Sequence, residues 1–188
     1  MPRVYMVRHG RAAAGWNVDP DPGLDELGRS QALAAAAELV PRGPMDVVTS
    51  PLLRCQQTAF PTAAAWDVEA RIEPRVGEIP SPEGYTLENR VEWLREAMAG
   101  TWTEVASRSG AHYAAYRDEI ARAVSSLRSD TVVFSHFIAI NAVIGHATGD
   151  DRVVIASLDN CSITVLDVGP DGSIALVETG GEADTLIR

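Results

Sequence analysis

Residues 4–10 read Val4-Tyr5-Met6-Val7-Arg8-His9-Gly10, four apolar residues running without a break into a cation, an imidazole and a glycine. A short continuous apolar run of this kind is how a strand buried on both faces of a parallel sheet reads. The pattern recurs twice. Asp46-Val47-Val48-Thr49 ends in Ser50-Pro51, with Arg54 a turn further on, and Thr131-Val132-Val133-Phe134 ends in Ser135-His136. Two further strand patterns, 163–168 and 174–178, flank Gly169-Pro170-Asp171-Gly172, a turn signal between antiparallel neighbours. A weaker one lies at 68–72.

Helical spacing fills the intervals. Asp25 is positioned as the N-cap of a helix to about residue 40, with Leu33, Ala36, Ala37 and Val40 on one face. Ser50 and Pro51 read as N-cap and first-turn proline of a second helix. Leu87, Val91, Leu94 and Met98 repeat at helical intervals, as do Tyr113, Tyr116, Ile120, Val124 and Leu127, and 137–147 forms a last, more apolar helix. Strands alternating with helices predict an α/β fold, a three-layer α/β/α sandwich whose sheet is mostly parallel with an antiparallel edge. With no repeat, linker or charge block, residues 1–188 read as one domain. Sites in such folds lie beyond the carboxyl ends of the strands.

The formal charge of −10 argues against nucleic acid, whose phosphates are held by clustered cations. No run approaches the ~20 apolar residues of a membrane span. The chain enters a strand pattern at its first residues, leaving no room for a signal peptide, and Cys55 and Cys161 are too few for a disulfide framework. A cytoplasmic location is therefore expected, with both thiols as packing residues. All 16 basic residues are arginine, which removes Schiff-base chemistry and the Walker lysine from consideration. An anion site here must be built from Arg, His and backbone N–H groups.

The three strand ends supply those groups. Arg8, His9, Arg54 and His136 come to one sheet edge, beside helix N-termini whose dipoles favour anions, and Gly10 would let backbone approach a ligand. Guanidinium groups match the charge that a phosphoryl group spreads over its oxygens in transit. A neutral imidazole is a competent nucleophile, kept neutral by neighbouring arginines, and a leaving alkoxide needs an acid nearby. No two histidines have a zinc-ligand spacing, so neither a metal nor another cofactor is expected.

Arg8-His9-Gly10 resembles the signature of the histidine phosphatase superfamily, the phosphoglycerate mutase-like fold. Leu24-x-x-x-Gly28-x-x-Gln31-Ala32 is similar to its first helix, and Ser50-Pro51-Leu52-x-Arg54-x-x-Gln57-Thr58-Ala59 to its second motif. Ser135-His136 resembles its third, and Asn160-Cys161-Ser162-Ile163 the approach to its late strand. The resemblance implies His9 as nucleophile and Arg8, Arg54 and His136 as phosphoryl-binding residues, with Asn17 a further phosphate contact. It also implies a small cap insertion at about 80–110. Arg75-Val76-Gly77-Glu78-Ile79 is similar to the segment carrying the proton donor, which makes Glu78 the candidate acid, with Glu83 and Glu73 as rivals. An acid working near neutrality needs a raised pKa, expected from burial under the cap.

The chain departs from the family in two places. Arg11-Ala12 stands where Glu or Gln and then Thr or Ser are usual, and Phe137 where Gly usually follows the third-motif His. Arg11 is thus a candidate contact for a second anionic group on the substrate. The expectation is a phosphatase acting on a small phosphorylated substrate through a phosphohistidine, without cofactor, with a homodimer as the candidate assembly. A phosphoglycerate mutase-type phosphotransferase, a protein phosphohistidine phosphatase, and a non-catalytic phosphoryl-binding module with Phe137 occluding the pocket are the alternatives.

Overall fold

The computed structural model describes residues 1–15 and 18–182. Six strands form one sheet: β1 (Arg3–Arg8), β2 (Asp46–Thr49), β3 (Arg71–Ile72), β4 (Thr131–Ser135), β5 (Ile163–Val168) and β6 (Ile174–Glu178). The order across the sheet is β3-β2-β4-β1-β5-β6. The first four run parallel, and β5 and β6 are antiparallel to their neighbours. The weak strand expected at 68–72 shrinks to the two residues of β3.

Six helices pack around it: α1 (Glu26–Leu39), α2 (Leu53–Trp66), α3 (Leu87–Ala99), α4 (Trp102–Ser109), α5 (His112–Ser125) and α6 (Phe137–Thr148). The two-residue alternation of the strands divides the core into two layers. Tyr5, Val7, Val132 and Phe134 pack on one face with Leu39, Cys55, Ala59 and Ala63 of α1 and α2. Val4, Met6, Val48 and Val133 pack on the other with Ile120, Val124, Ile138 and Ile140 of α5 and α6. The three-layer sandwich expected from the pattern is present. Among the described residues no helix is long and apolar enough to cross a membrane.

Two helix expectations need correction. Asp25 does cap α1, its Oδ1 accepting from Gly28 N at 2.7 Å. The buried face, however, is Gly28, Ala32, Ala35, Ala36 and Leu39, and Leu33 is 62% exposed. Small residues win the inner face because α1 lies so close to the 8–11 loop. A Cβ on Gly28 would stand 2.1 Å from Arg11 O, and one on Gly10 2.6 Å from Gly28 O. Gly10 thus serves the approach of α1. Second, α2 begins at Leu53 with Leu52 as its N-cap, two residues after the expected start. Ser50 is engaged elsewhere.

Candidate active site

The parallel register brings the three polar strand ends together. Arg8 is paired with Ser135, His9 N donates to Ser135 O at 3.0 Å, and Ser50 N donates to Phe134 O at 3.0 Å. His9 is then held from both sides. Asn160 Nδ2 donates to its carbonyl at 2.9 Å, and Gly10 N donates to Thr58 Oγ1 at 3.0 Å.

The His9 ring has a defined orientation. Its Nδ1 is 2.8 Å from Gly10 O, an acceptor only, so Nδ1 carries the proton. Nε2 is left bare and accepts from Arg54 Nε at 3.2 Å. Burial above all, with the charges of His136, Arg54 and Arg8, holds His9 well below its ordinary pKa. The result is a neutral imidazole with its lone pair aimed at a guanidinium. His136 lies beside it, ring centroids 5.2 Å apart. Its Nε2 is 2.8 Å from Ser50 Oγ and 3.4 Å from Cys55 Sγ. Burial lowers its pKa too, against the opposing pull of Glu78. Ser50, read as a helix cap, is a support for this imidazole.

Arg54 and Glu78 complete the cluster. Arg54 Nη2 is 3.5 Å from Glu78 Oε2 and 3.4 Å from His136 Nδ1, and Glu78 Oε2 is 3.4 Å from His136 Nδ1. Burial alone would raise the Glu78 pKa, but His136, Arg54 and His9 outweigh it and hold the carboxyl well below its usual range. The expected raised pKa is therefore corrected: these neighbours favour the Glu78 carboxylate. Glu73 and Glu83 stand apart from the cluster. Glu73 is tied to Arg75 Nη2 at 2.8 Å, chiefly by which its pKa falls to about 2, and Glu83 is exposed.

Arg8 is anchored by Nη1 on Leu158 O at 2.6 Å, and its guanidinium carbon lies 5.1 Å from the Phe137 ring centroid. Phe137 is 3% exposed and packs behind Arg8. Its ring is taken up by this contact with Arg8 in the core. Arg11 does not come to the site. Its Nε donates to Asp25 Oδ2 at 2.5 Å, and its side chain is 57% exposed. A carboxylate already caps α1 at that point, and the nearest cation pairs with it. Asn17 lies outside the described residues. Cys55 is buried as expected, whereas Cys161 is half-buried in a left-handed backbone conformation (φ 58°).

A cleft of about 290 Å³ opens beside this cluster and reaches it through Arg54 and Glu78. Asp19, Leu52, Pro80 and Arg90 also line it. The loop carrying Glu78 is suspended by its carbonyls. Ser135 Oγ donates to Val76 O at 2.7 Å, Tyr116 Oη to Gly77 O at 2.9 Å, Arg90 Nη2 to Ile79 O at 3.1 Å and Tyr113 Oη to Pro80 O at 2.9 Å. Of these four only Ser135 lies in a motif that the sequence offers. Both tyrosines follow helical spacing and read as core.

His9, Glu78 and His136 offer ligand atoms within 4.8 Å of one another, the one such set of three among the described residues. A dication there would have to displace Arg54, whose Nε and Nη2 already occupy the space between these atoms. The donor set suits a metal, but the charges around it suit an anion.

Comparison with known proteins agrees with this geometry. Residues 4–179 match the model of the histidine phosphatase superfamily (branch 1). An uncharacterized protein of Mycobacterium tuberculosis is 33% identical over 116 residues, 54% of this chain and 57% of that protein, so the match spans little more than half of that relative. A probable phosphoglycerate mutase of Serratia proteamaculans is 27% identical over 211 aligned positions, 99% of this chain and 95% of that one. The solved structure of mycobacterial glucosyl-3-phosphoglycerate phosphatase with VO3 superposes with a TM-score of 0.71 at 25% identity, covering 95% of this chain and 98% of that one. The chain belongs to the histidine phosphatase superfamily, branch 1.

Proposed function

We propose that the protein hydrolyses a small phosphomonoester through a phosphohistidine on His9 Nε2. The observation that carries this reading is the tautomer. The Nδ1–H is fixed on Gly10 O, and the free lone pair of Nε2 faces Arg54 beside His136 and Glu78. In the first step Nε2 forms a bond to phosphorus as the ester P–O bond breaks. Arg8, Arg54 and His136 stabilise the charge on the phosphoryl oxygens. Glu78, having taken up a proton with the substrate, gives it to the departing alkoxide. In the second step Glu78 accepts a proton from water as water attacks phosphorus, and the N–P bond breaks.

The similarity to a mycobacterial glucosyl-3-phosphoglycerate phosphatase supports a hydrolase of phosphate esters. Residues 80–110 act in this reading as the cap, since Pro80 and Arg90 line the cleft wall. Two unpaired cysteines are in keeping with a reducing cytoplasm. A mutase is the second reading, favoured by near-full-length similarity to a probable phosphoglycerate mutase. It would use the same first step and return the phosphoryl group to a second hydroxyl.

The test is rapid quench with a ³²P-labelled ester. An acid-labile, base-stable phosphoenzyme mapping to His9, absent in His9→Ala, is expected, with release of inorganic phosphate. Label on Asp, Ser or Cys55 would overturn the mechanism. Transfer to an added phosphoglycerate in place of water would identify the mutase.

A further inference from the structure

Helix α2 starts without a cap of its own. It carries Arg54 in its first turn, and its N-cap is Leu52, whose side chain cannot accept a hydrogen bond. The N–H of Leu53 is satisfied from 32 positions earlier in the chain, donating to Asp21 Oδ1 at 2.8 Å. The segment around Asp21 is tied along the opening of the helix. Asp21 N donates to Asp19 Oδ1 at 2.9 Å, and Leu24 N donates to Gln57 Oε1 at 2.7 Å. A carboxylate suits the positive end of a helix, so in this respect Asp21 is a cap supplied from outside.

The same oxygen has a second neighbour. Asp21 Oδ1 stands 4.0 Å from Arg54 Nη1, too far for a hydrogen bond and near enough for an ion pair. Nη1 is buried and has no hydrogen-bond partner among the described residues. The other nitrogens of that guanidinium are engaged in the cluster, Nε with His9 and Nη2 with Glu78 and His136. Arg54 therefore faces two carboxylates. That of Glu78 is buried with the cluster, whereas that of Asp21 is 46% exposed.

A cap does not need the charge, since Asn or Ser at such a position accepts as well as Asp does. What the charge adds falls on Arg54, which the phosphatase reading makes a ligand of the phosphoryl oxygens. A guanidinium that already faces two carboxylates has less attraction left for a dianion, and the outer carboxylate also repels it. This acts alike on an ester and on free phosphate, so it lowers affinity without raising the barrier to reaction. A site made of two arginines and two histidines otherwise risks holding the phosphate it has just released.

We propose that Asp21 is a positioning residue for Arg54, fixed to α2 through Leu53 N, and that its charge acts through this guanidinium to keep the site from retaining free phosphate. This rests on the phosphatase reading above.

The experiment measures binding of inorganic phosphate by calorimetry at pH 8, where most of it is the dianion, so that no turnover is required. Asp21→Asn keeps an acceptor for Leu53 N and removes the charge. At about 20 mM salt it is expected to bind phosphate at least fivefold more tightly than wild type. At about 0.5 M salt the gain should shrink to less than about twofold, because a half-exposed carboxylate is screened. KM for an aryl phosphate should fall with the same trend while kcat does not rise. A residue that served only as a cap would move none of these. Asp21→Ala loses the hold on Leu53 as well, and its kcat is expected at least threefold below that of Asp21→Asn. Equal kcat in the two variants would overturn the positioning role. Unchanged or weaker phosphate binding by Asp21→Asn, or a gain indifferent to salt, would overturn the role of the charge and leave the phosphatase reading standing. A wild type that binds no phosphate would overturn that reading, and this one with it.

Discussion

His136, Arg54 and His9 hold Glu78 as a carboxylate, so the acid role proposed for it requires that ligand binding raise its pKa and bring a proton with it. Its Oε2 lies 3.4 Å from His136 Nδ1 and 3.5 Å from Arg54 Nη2, the atoms on which a phosphoryl group would sit. A bound dianion therefore comes within about 4 Å of the carboxylate. At an effective dielectric of ~20 each charge pair at that distance is worth ~4 kcal/mol, so two charges give ~8 kcal/mol of repulsion. Repulsion of that order drives the carboxyl's pKa upward on binding. Because the pKa rises on binding, a proton is taken up between the free and the bound pKa. Affinity consequently weakens as pH rises through that window. Tungstate is a suitable probe, since it remains a dianion. Calorimetry in two buffers of different ionisation enthalpy should show wild type taking up about one proton more than Glu78→Gln at pH 6. At pH 8 the variant should bind tungstate more tightly than wild type. On an alkyl phosphate it should lose ~10²–10⁴-fold in rate, and much less on a nitrophenyl phosphate. Equal proton uptake by the two proteins would refute the coupling between ligand and acid.

Three further outcomes are expected. Tyr116→Phe removes the donor to Gly77 O, which should cost ~1–3 kcal/mol in urea unfolding and slow alkyl esters more than aryl esters. Gly28→Ala sets a Cβ 2.1 Å from Arg11 O, and it should destabilise by ~1–3 kcal/mol or more, despite alanine's better helix propensity, read as a lower thermal midpoint. Exhaustive chelation should leave turnover unchanged, because Arg54 fills the space between His9, Glu78 and His136; loss of activity restored by one divalent metal would show that a cation can displace it.

The parts of the molecule that the sequence makes legible are those where one local pattern carries the whole signal. A buried parallel strand running into polar residues is such a pattern, and the ends of β1, β2 and β4 bring Arg8, His9, Arg54 and His136 together. Glu78 joins them, while Glu73 and Glu83 do not. Legibility ends where distant residues decide. The inner face of α1 is chosen by its approach to the 8–11 loop, so alanines bury and Leu33 does not. Ser50 has the composition of a cap, and only the parallel pairing of β2 with β4 brings it to His136. Arg11 and Asp25 lie 14 residues apart, and nothing in their spacing announces the pair. Tyr113 and Tyr116 carry apolar rings at core spacing, and their hydroxyls act 33 and 39 residues away.

The suspension of the Glu78 loop ties together two properties that an engineer would wish to vary separately. Ile79 and Pro80 hang from Arg90 and Tyr113, residues of α3 and α5, so the position of Glu78 is set from the side of the cleft that Pro80 and Arg90 line. Remodelling that wall to admit a different alcohol also moves the group that must protonate it. Divergence within this architecture should therefore proceed by paired substitutions, one admitting the new ester and another re-hanging the loop. Single changes selected on activated aryl esters, which hardly need the proton, should accumulate variants that fail on natural alkyl ones.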